Sequence, residues 1–247
     1  MCFAIDEFNE GMPDTEFLAM IMMDGSATMD IEERKSRVKK HLRAAQGFQA
    51  VIDTMDDPQF ENASISLAFF SASRGGVQIV SSLDCYNPYQ AKTYSGNTNL
   101  EIWDALSPQN RALGMGGGTP IGSAVKWGLE RVQQWVASAQ GQVQRRAVVY
   151  VMSDGMNNVG PDGRDEKTAL QAFNAACKKG EVKLATIGYF QSEQLEDGTL
   201  TNRDEEDGRQ LLRALPLNTA AYFQSDDIDK IVRYILATTA DMLGQGE

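Results

Sequence analysis

The chain has 247 residues, 42% of them hydrophobic, and a formal net charge of −11. That length supports one α/β domain with a core that needs no staples. The acidic balance argues against nucleic acid, which demands a basic face, and no apolar run reaches the roughly 18 residues of a membrane span.

Residues 1–15 are polar and acidic, with Gly11 and Pro13, and read as a lead-in to a single domain over residues 16–243. The opening Met1-Cys2-Phe3-Ala4-Ile5-Asp6-Glu7 carries acids where a secretion signal would carry bases. Together with three widely spaced cysteines, Cys2, Cys85 and Cys177, this points to free thiols in a reducing cytoplasm. The first strand runs from about Glu16 to Met23. Its apolar stretch Phe17-Leu18-Ala19-Met20-Ile21-Met22-Met23 has the pattern of a parallel strand buried on both faces. Asp30 to Met55 is predicted helical, with Val38, Leu42, Ala45, Ile52 and Met55 on its apolar side. Arg34, Lys35, Arg37, Lys39, Lys40 and Arg43 are expected on a solvated face, and His41 with them.

Asp56-Asp57-Pro58 ends that helix. Ala63–Ser71 alternates as a strand, and Val77–Leu83 follows so soon after Arg74-Gly75-Gly76 that the two form an antiparallel hairpin. Asn87–Asn99 reads as loop and Asn99–Ala105 as a weak short element. Gly114-Met115-Gly116-Gly117-Gly118-Thr119-Pro120 then opens a helix over Ile121–Ala139, with Val125, Leu129, Val132 and Val136 inward. Ala147–Met152 is a β-branched and aromatic strand ending in Ser153-Asp154-Gly155. Thr168–Lys178 is predicted helical and Val182–Tyr189 extended. Gln191–Gly208 is acidic and turn-rich, and Glu193–Asp207 within it reads as a mobile surface insertion. A short helix over Arg209–Leu215, a strand over Ala220–Gln224 and an amphipathic helix over Ile228–Met242, capped by Asp226-Asp227, complete the chain.

Three stretches carry oxygen donors where a strand gives way to a loop or helix: Asp24-x-Ser26-x-Thr28, Thr119 and Asp154. Carboxylate and hydroxyl oxygens are hard donors suited to Mg²⁺ or Mn²⁺. The same residue types are also favoured helix caps, so the first stretch alone has two readings. In open α/β sheets ligands bind outside the carboxyl ends of the strands, and all three stretches fall there. Neutral hydroxyl ligands would leave a cation electrophilic, with room for an external carboxylate.

Asp24, Ser26 and Thr28, then Thr119, then Asp154, resemble the metal-ion-dependent adhesion site of the von Willebrand factor A (vWA) family. Gly118-Thr119-Pro120-Ile121-Gly122 and Ser153-Asp154-Gly155 look like that family's flanks. The resemblance spans Glu16–Leu243. Thr28 departs from it, standing where serine is usual. The resemblance implies a doubly wound, Rossmann-like vWA fold: a mostly parallel six-stranded sheet, order 3-2-1-4-5-6, with one antiparallel edge strand. It implies that Ser26 and Thr28 touch the metal, that Thr119 does so directly or through water, and that Asp24 and Asp154 often act through water. It also implies binding rather than catalysis. The expected role is a standalone bacterial cytoplasmic interaction module, whose protein partner presents Asp or Glu within an AAA+ ATPase, signalling, stress-response or defence complex.

An enzyme is the rival class. A haloacid-dehalogenase-like phosphatase opens with Asp-x-Asp-x-Thr after a strand, but Ser26 stands where its acid is needed, and an alcohol does not replace a carboxylic acid in proton transfer. A serine hydrolase would need a base for Ser26, and His41, the single histidine, lies far along the chain. Gly114-x-Gly116-x-x-Thr119 lacks the strand and ribose-binding acid of a dinucleotide site.

Overall fold

The computed structural model describes residues 15–32, 37–73, 76–95, 117–178, 180–190 and 203–243. Among these residues there are six strands, β1 (Thr15–Asp24), β2 (Ala63–Ser73), β3 (Gly76–Tyr86), β4 (Gln144–Ser153), β5 (Gly180–Gly188) and β6 (Tyr222–Gln224). They form one sheet in the order β3-β2-β1-β4-β5-β6. Of its strand pairs, only β2–β3 is antiparallel. Both the order and the antiparallel edge agree with the expectation from sequence. The helices are α1 (Lys40–Thr54), α2 (Pro88–Ser95), α3 (Ile121–Ala137), α4 (Arg164–Ala176), α5 (Arg203–Ala214) and α6 (Ile228–Met242).

The apolar run of β1 has a direct structural cause. The strand lies between β2 and β4 and is covered on both faces, so from Phe17 to Asp24 neither row of side chains meets water. Phe17, Ala19, Ile21 and Met23 enter the layer built with Phe48, Val51 and Ile52 of α1 and with Ile228, Ile231 and Ile235 of α6. Leu18, Met20 and Met22 enter the opposite layer, with Val125, Leu129 and Val132 of α3, Leu170 of α4 and Leu212 of α5. Each fully buried large aliphatic side chain contributes about 1.5–3 kcal/mol. The sheet is therefore a rigid floor for the loops at its carboxyl edge. The strand order reverses direction between β1 and β4, and their carboxyl ends flank that switch point, the usual ligand crevice of such sheets.

Several boundaries differ from the sequence reading. Among the described residues, the helix expected from Asp30 begins at Lys40. Ala27–Asp30 forms a 3-10 turn, Ile31 is extended, and Arg37 has φ of 59°. A residue in the left-handed region cannot continue a right-handed helix. Lys39, also extended, instead makes an antiparallel bridge with Glu32. Lys40 and His41, expected on a solvated face, are both buried. Within the expected loop 87–99, Pro88–Ser95 is helical, because the Asn87 side chain accepts the Gln90 N–H at 2.9 Å and Pro88 suits a first turn. The helix expected from Arg209 starts at Arg203. Glu206–Gln210 and Glu205–Arg209 contacts, each four residues apart, support its acidic first half. The helix expected at Thr168–Lys178 runs over Arg164–Ala176, and the last strand is only Tyr222–Gln224. Expectations for residues 1–14, Asn99–Ala105, Gly114–Gly116 and residues 191–202 lie outside the described residues.

Candidate metal centre

β1 ends by delivering Asp24 to a fully buried position. The chain then turns sharply, and the Asp24 Oδ1 accepts the Ser26 backbone N–H at 2.8 Å. That local turn is why an aspartate two residues before a serine is useful here: the carboxylate shapes the loop that presents the hydroxyls. Ser26 Oγ and Thr28 Oγ1 lie 3.0 Å apart. Ser26 is buried, whereas Thr28 is exposed at the mouth of the crevice.

β4 delivers the second carboxylate alongside. Its final residue, Ser153, donates its hydroxyl to Asp24 Oδ2 at 2.6 Å. Asp154 follows and is buried, and Thr28 Oγ1 donates to its Oδ1 at 2.6 Å. Lys40 Nζ donates to Asp154 Oδ2 at 2.5 Å. Each of the four carboxylate oxygens thus has a donor, from four different residues.

Thr119 arrives from the third direction. The backbone of Gly117-Gly118 crosses the end of β2, where Gly118 and Ala72 form an antiparallel bridge. A Cβ on Gly117 would fall 1.4 Å from the Ala72 carbonyl oxygen, so only glycine permits this crossing. Asn158 then holds the next residue: its Oδ1 accepts the Thr119 N–H at 2.7 Å, and its own N–H donates to the Thr119 carbonyl at 3.2 Å. Thr119 is buried, and its Oγ1 stands 3.9 Å from the position of a Cβ on Gly155. All five residues singled out from sequence therefore meet at one edge of the sheet.

The electrostatics of the crevice are unbalanced. Burial pushes the Asp24 carboxyl up to about 7, the Asp154 charge adds to the shift, and the bonds from Ser153 and Ser26 oppose it. Two buried carboxylates this close call for positive charge. Lys40 supplies one such charge. The donor set, two carboxylates with the hydroxyls of Ser26, Thr28 and Thr119, fits a hard divalent cation in type and in charge demand. Among the described residues, no group of three or more His, Cys, Asp or Glu offers a competing site.

Three contributors were not legible from sequence. Lys40 had the local pattern of a surface residue. Ser153 was visible only as part of a flank, and Asn158 follows Asp154 in a loop of no marked pattern. His41 is not part of this crevice chemistry by any bond shown: its Nδ1 lies 3.0 Å from the Met29 carbonyl oxygen.

No family model and no curated protein matches the chain. Solved structures do. Proximal thread matrix protein 1 (PTMP1) from the mussel byssus is 14% identical with a TM-score of 0.56, over 94% of this chain and 49% of its own. Another PTMP1 structure, described with a zinc-occupied MIDAS motif, gives 0.55 over the same shares. The pilus adhesin SpaC from Lactobacillus rhamnosus GG is 13% identical, with a TM-score of 0.56 over 94% of this chain and 31% of its own. The PilB minor pilin from Streptococcus sanguinis is 11% identical, with a TM-score of 0.59 over 94% of this chain and 62% of its own. The chain thus spans about half the length of PTMP1 and less than a third of SpaC. Identities this low speak for the fold alone, and on that ground the chain has a vWA-like doubly wound architecture.

Proposed function

We propose that this chain is a divalent-cation-dependent protein-interaction module, with Mg²⁺ or Mn²⁺ held by Asp24, Ser26, Thr28, Thr119 and Asp154. The observation that carries this reading is the meeting of two buried carboxylates under a row of hydroxyls. Thr28 Oγ1 spans the two acidic loops and reaches the surface. When bound, the cation supplies a positive centre able to take a carboxylate oxygen from outside. The chain's own residues do the rest. Asp24 and Asp154 provide the negative charge, Ser153 and the Ser26 N–H orient Asp24, and Asn158 fixes the backbone of Thr119. A partner's Asp or Glu is the complementary ligand. PTMP1 with its zinc-occupied MIDAS motif and the adhesin SpaC lend support by analogy of fold.

The same geometry favours binding over turnover. His41 is engaged with the Met29 carbonyl rather than with Ser26. Within this proposal the compartment is the cytoplasm, in keeping with Cys85 and Cys177 as free thiols. Calorimetric titration with Mg²⁺ and Mn²⁺ tests the site. One binding event is expected in the wild type, lost in Asp24→Ala and Asp154→Ala. Unchanged binding in both variants removes the proposed centre.

A further inference from the structure

We propose that Lys40 is a tethered cation that holds the Asp154 side of this centre when no divalent ion is bound and must be displaced when one arrives. The inference rests on the metal-binding reading above and adds a competitor that belongs to the chain itself.

The Lys40–Asp154 pair is buried on both sides, with side-chain exposures of 7% and 0%. An ammonium withdrawn from water to that degree stands only beside a compensating anion. Nothing local in the sequence requires it, since the two residues are 114 positions apart. The surrounding backbone aims Lys40 inward. Arg37 takes a left-handed conformation and Lys39 is extended, so the chain reverses before α1 begins. The Lys40 N–H then donates to the Ile31 carbonyl at 3.0 Å. Lys39 Nζ pairs with Asp30 at 2.6 Å, and His41 Nδ1 lies against the Met29 carbonyl. Three consecutive residues, 39 to 41, thus fasten the start of α1 to the 3-10 turn that continues the Asp24–Thr28 loop. The ammonium is placed by a built framework.

Charge balance sets the competition. Asp24 and Asp154 with Lys40 sum to −1 when both acids are ionised. A divalent ion sharing Asp154 with the ammonium would meet a like charge at close range in a low-dielectric crevice. Removing Lys40 removes that repulsion and leaves two negative charges for the ion. A monovalent ion gains little by replacing another single charge, so Lys40 also selects divalent ions against Na⁺ and K⁺. Lysine suits the task better than arginine. Its flexible stem and compact head can leave the crevice without breaking a fixed two-pronged contact.

The test has two arms. Mg²⁺ titration of Lys40→Met is expected to give at least tenfold tighter binding than the wild type at equal ionic strength. In the wild-type chain, the Lys40 ammonium should be seen by ¹⁵N NMR as a slowly exchanging group without Mg²⁺, and that signal should be lost at saturation. The second arm needs no variant and stands even if Lys40→Met folds poorly. Equal or weaker Mg²⁺ binding by Lys40→Met, or a Lys40 signal indifferent to saturating Mg²⁺, overturns the tethered-cation role while leaving the metal centre in place. Absence of Mg²⁺, Mn²⁺ and Zn²⁺ binding in both proteins overturns the centre itself, and this role with it.

Discussion

Thr28 Oγ1 donates a 2.6 Å hydrogen bond to Asp154 Oδ1, joining two loops that are 126 residues apart in the chain. The bond makes Thr28 the keystone between the first loop and the end of β4, and it bears on the one departure from the vWA pattern. Thr28→Ser keeps the hydroxyl and is expected to bind Mg²⁺ within about threefold of the wild type. Thr28→Val keeps the shape but loses the bond, leaving Asp154 Oδ1 without its donor. A stability loss of about 1 kcal/mol is expected on urea denaturation, with at least tenfold weaker Mg²⁺ binding by calorimetry. Equal affinity in Thr28→Val and Thr28→Ser would show that the hydroxyl takes no part.

Asp24 contributes to the pH response of the metal-free protein. Its folded value of about 7 lies above the ordinary 3.8, so between those values the folded state holds a proton that the unfolded state has released. The stabilising contribution is complete below about 4 and is lost as pH rises through about 7. The melting temperature without metal should therefore fall across that window, and Asp24→Asn should flatten the fall. Saturating Mg²⁺ should reverse the trend by favouring the ionised form. A melting temperature that rises from pH 4 to pH 7 without metal, and equally so in Asp24→Asn, would contradict this assignment.

Asn158 acts on Thr119 and is placed by two bonds rather than by contact with a ligand. Asn158→Ala is expected to keep the fold, cost about 1 kcal/mol, and weaken Mg²⁺ binding several-fold. Titration beside a far-ultraviolet spectrum checks both halves. Wild-type affinity in the variant would mean that the Gly117–Gly118 crossing alone positions Thr119.

Gly208 tests how the acidic helix meets the site. A Cβ there would fall 2.5 Å from the Gly155 carbonyl oxygen, in the loop that carries Asp154. Alanine in a helix is worth about 1 kcal/mol over glycine, but forcing backbone apart costs about 1–3 kcal/mol. The clash should win, so Gly208→Ala should lower the urea midpoint and disturb Mg²⁺ binding. A stabilised Gly208→Ala would show that α5 sits loosely over the loop. Residues 203–207, read from sequence as part of a mobile insertion, belong to this packed helix.

The sequence made the site legible where its logic is local. Asp24, Ser26 and Thr28 fall within one turn after a strand whose apolar run could hardly be misread, and the Ser26 N–H to Asp24 bond spans only two residues. The strand order followed from the vWA resemblance, while the short β2–β3 connection marked its antiparallel edge. Legibility failed where burial depends on distant partners. Lys40 and His41 look like part of a solvated helical face because most of their sequence neighbours are charged and helix-compatible. The left-handed Arg37 and the Asp154 carboxylate decide otherwise, and neither is visible in the local pattern. The start of α5 was missed for a related reason: acidic residues read as loop, although four-residue pairs and a glycine fitted to Gly155 hold them in a helix.

The parallel pairing of β1 with β4 has a consequence for the order in which the molecule can assemble. β1 and the β2–β3 hairpin are made early, but the second edge of β1 stays open until Gln144–Ser153 has been synthesised. Such long-range pairing slows folding, because a large loop must close before its contacts are rewarded. Asp24 and Asp154 come together only at that step. An ion held by both therefore recognises chains in which β4 has joined β1 and no earlier state, and under the proposed function it would shift the balance toward the folded chain by mass action. On a ribosome, the exposed edge of β1 would be the vulnerable surface of the half-made protein, and the arrival of β4 the moment at which that vulnerability ends.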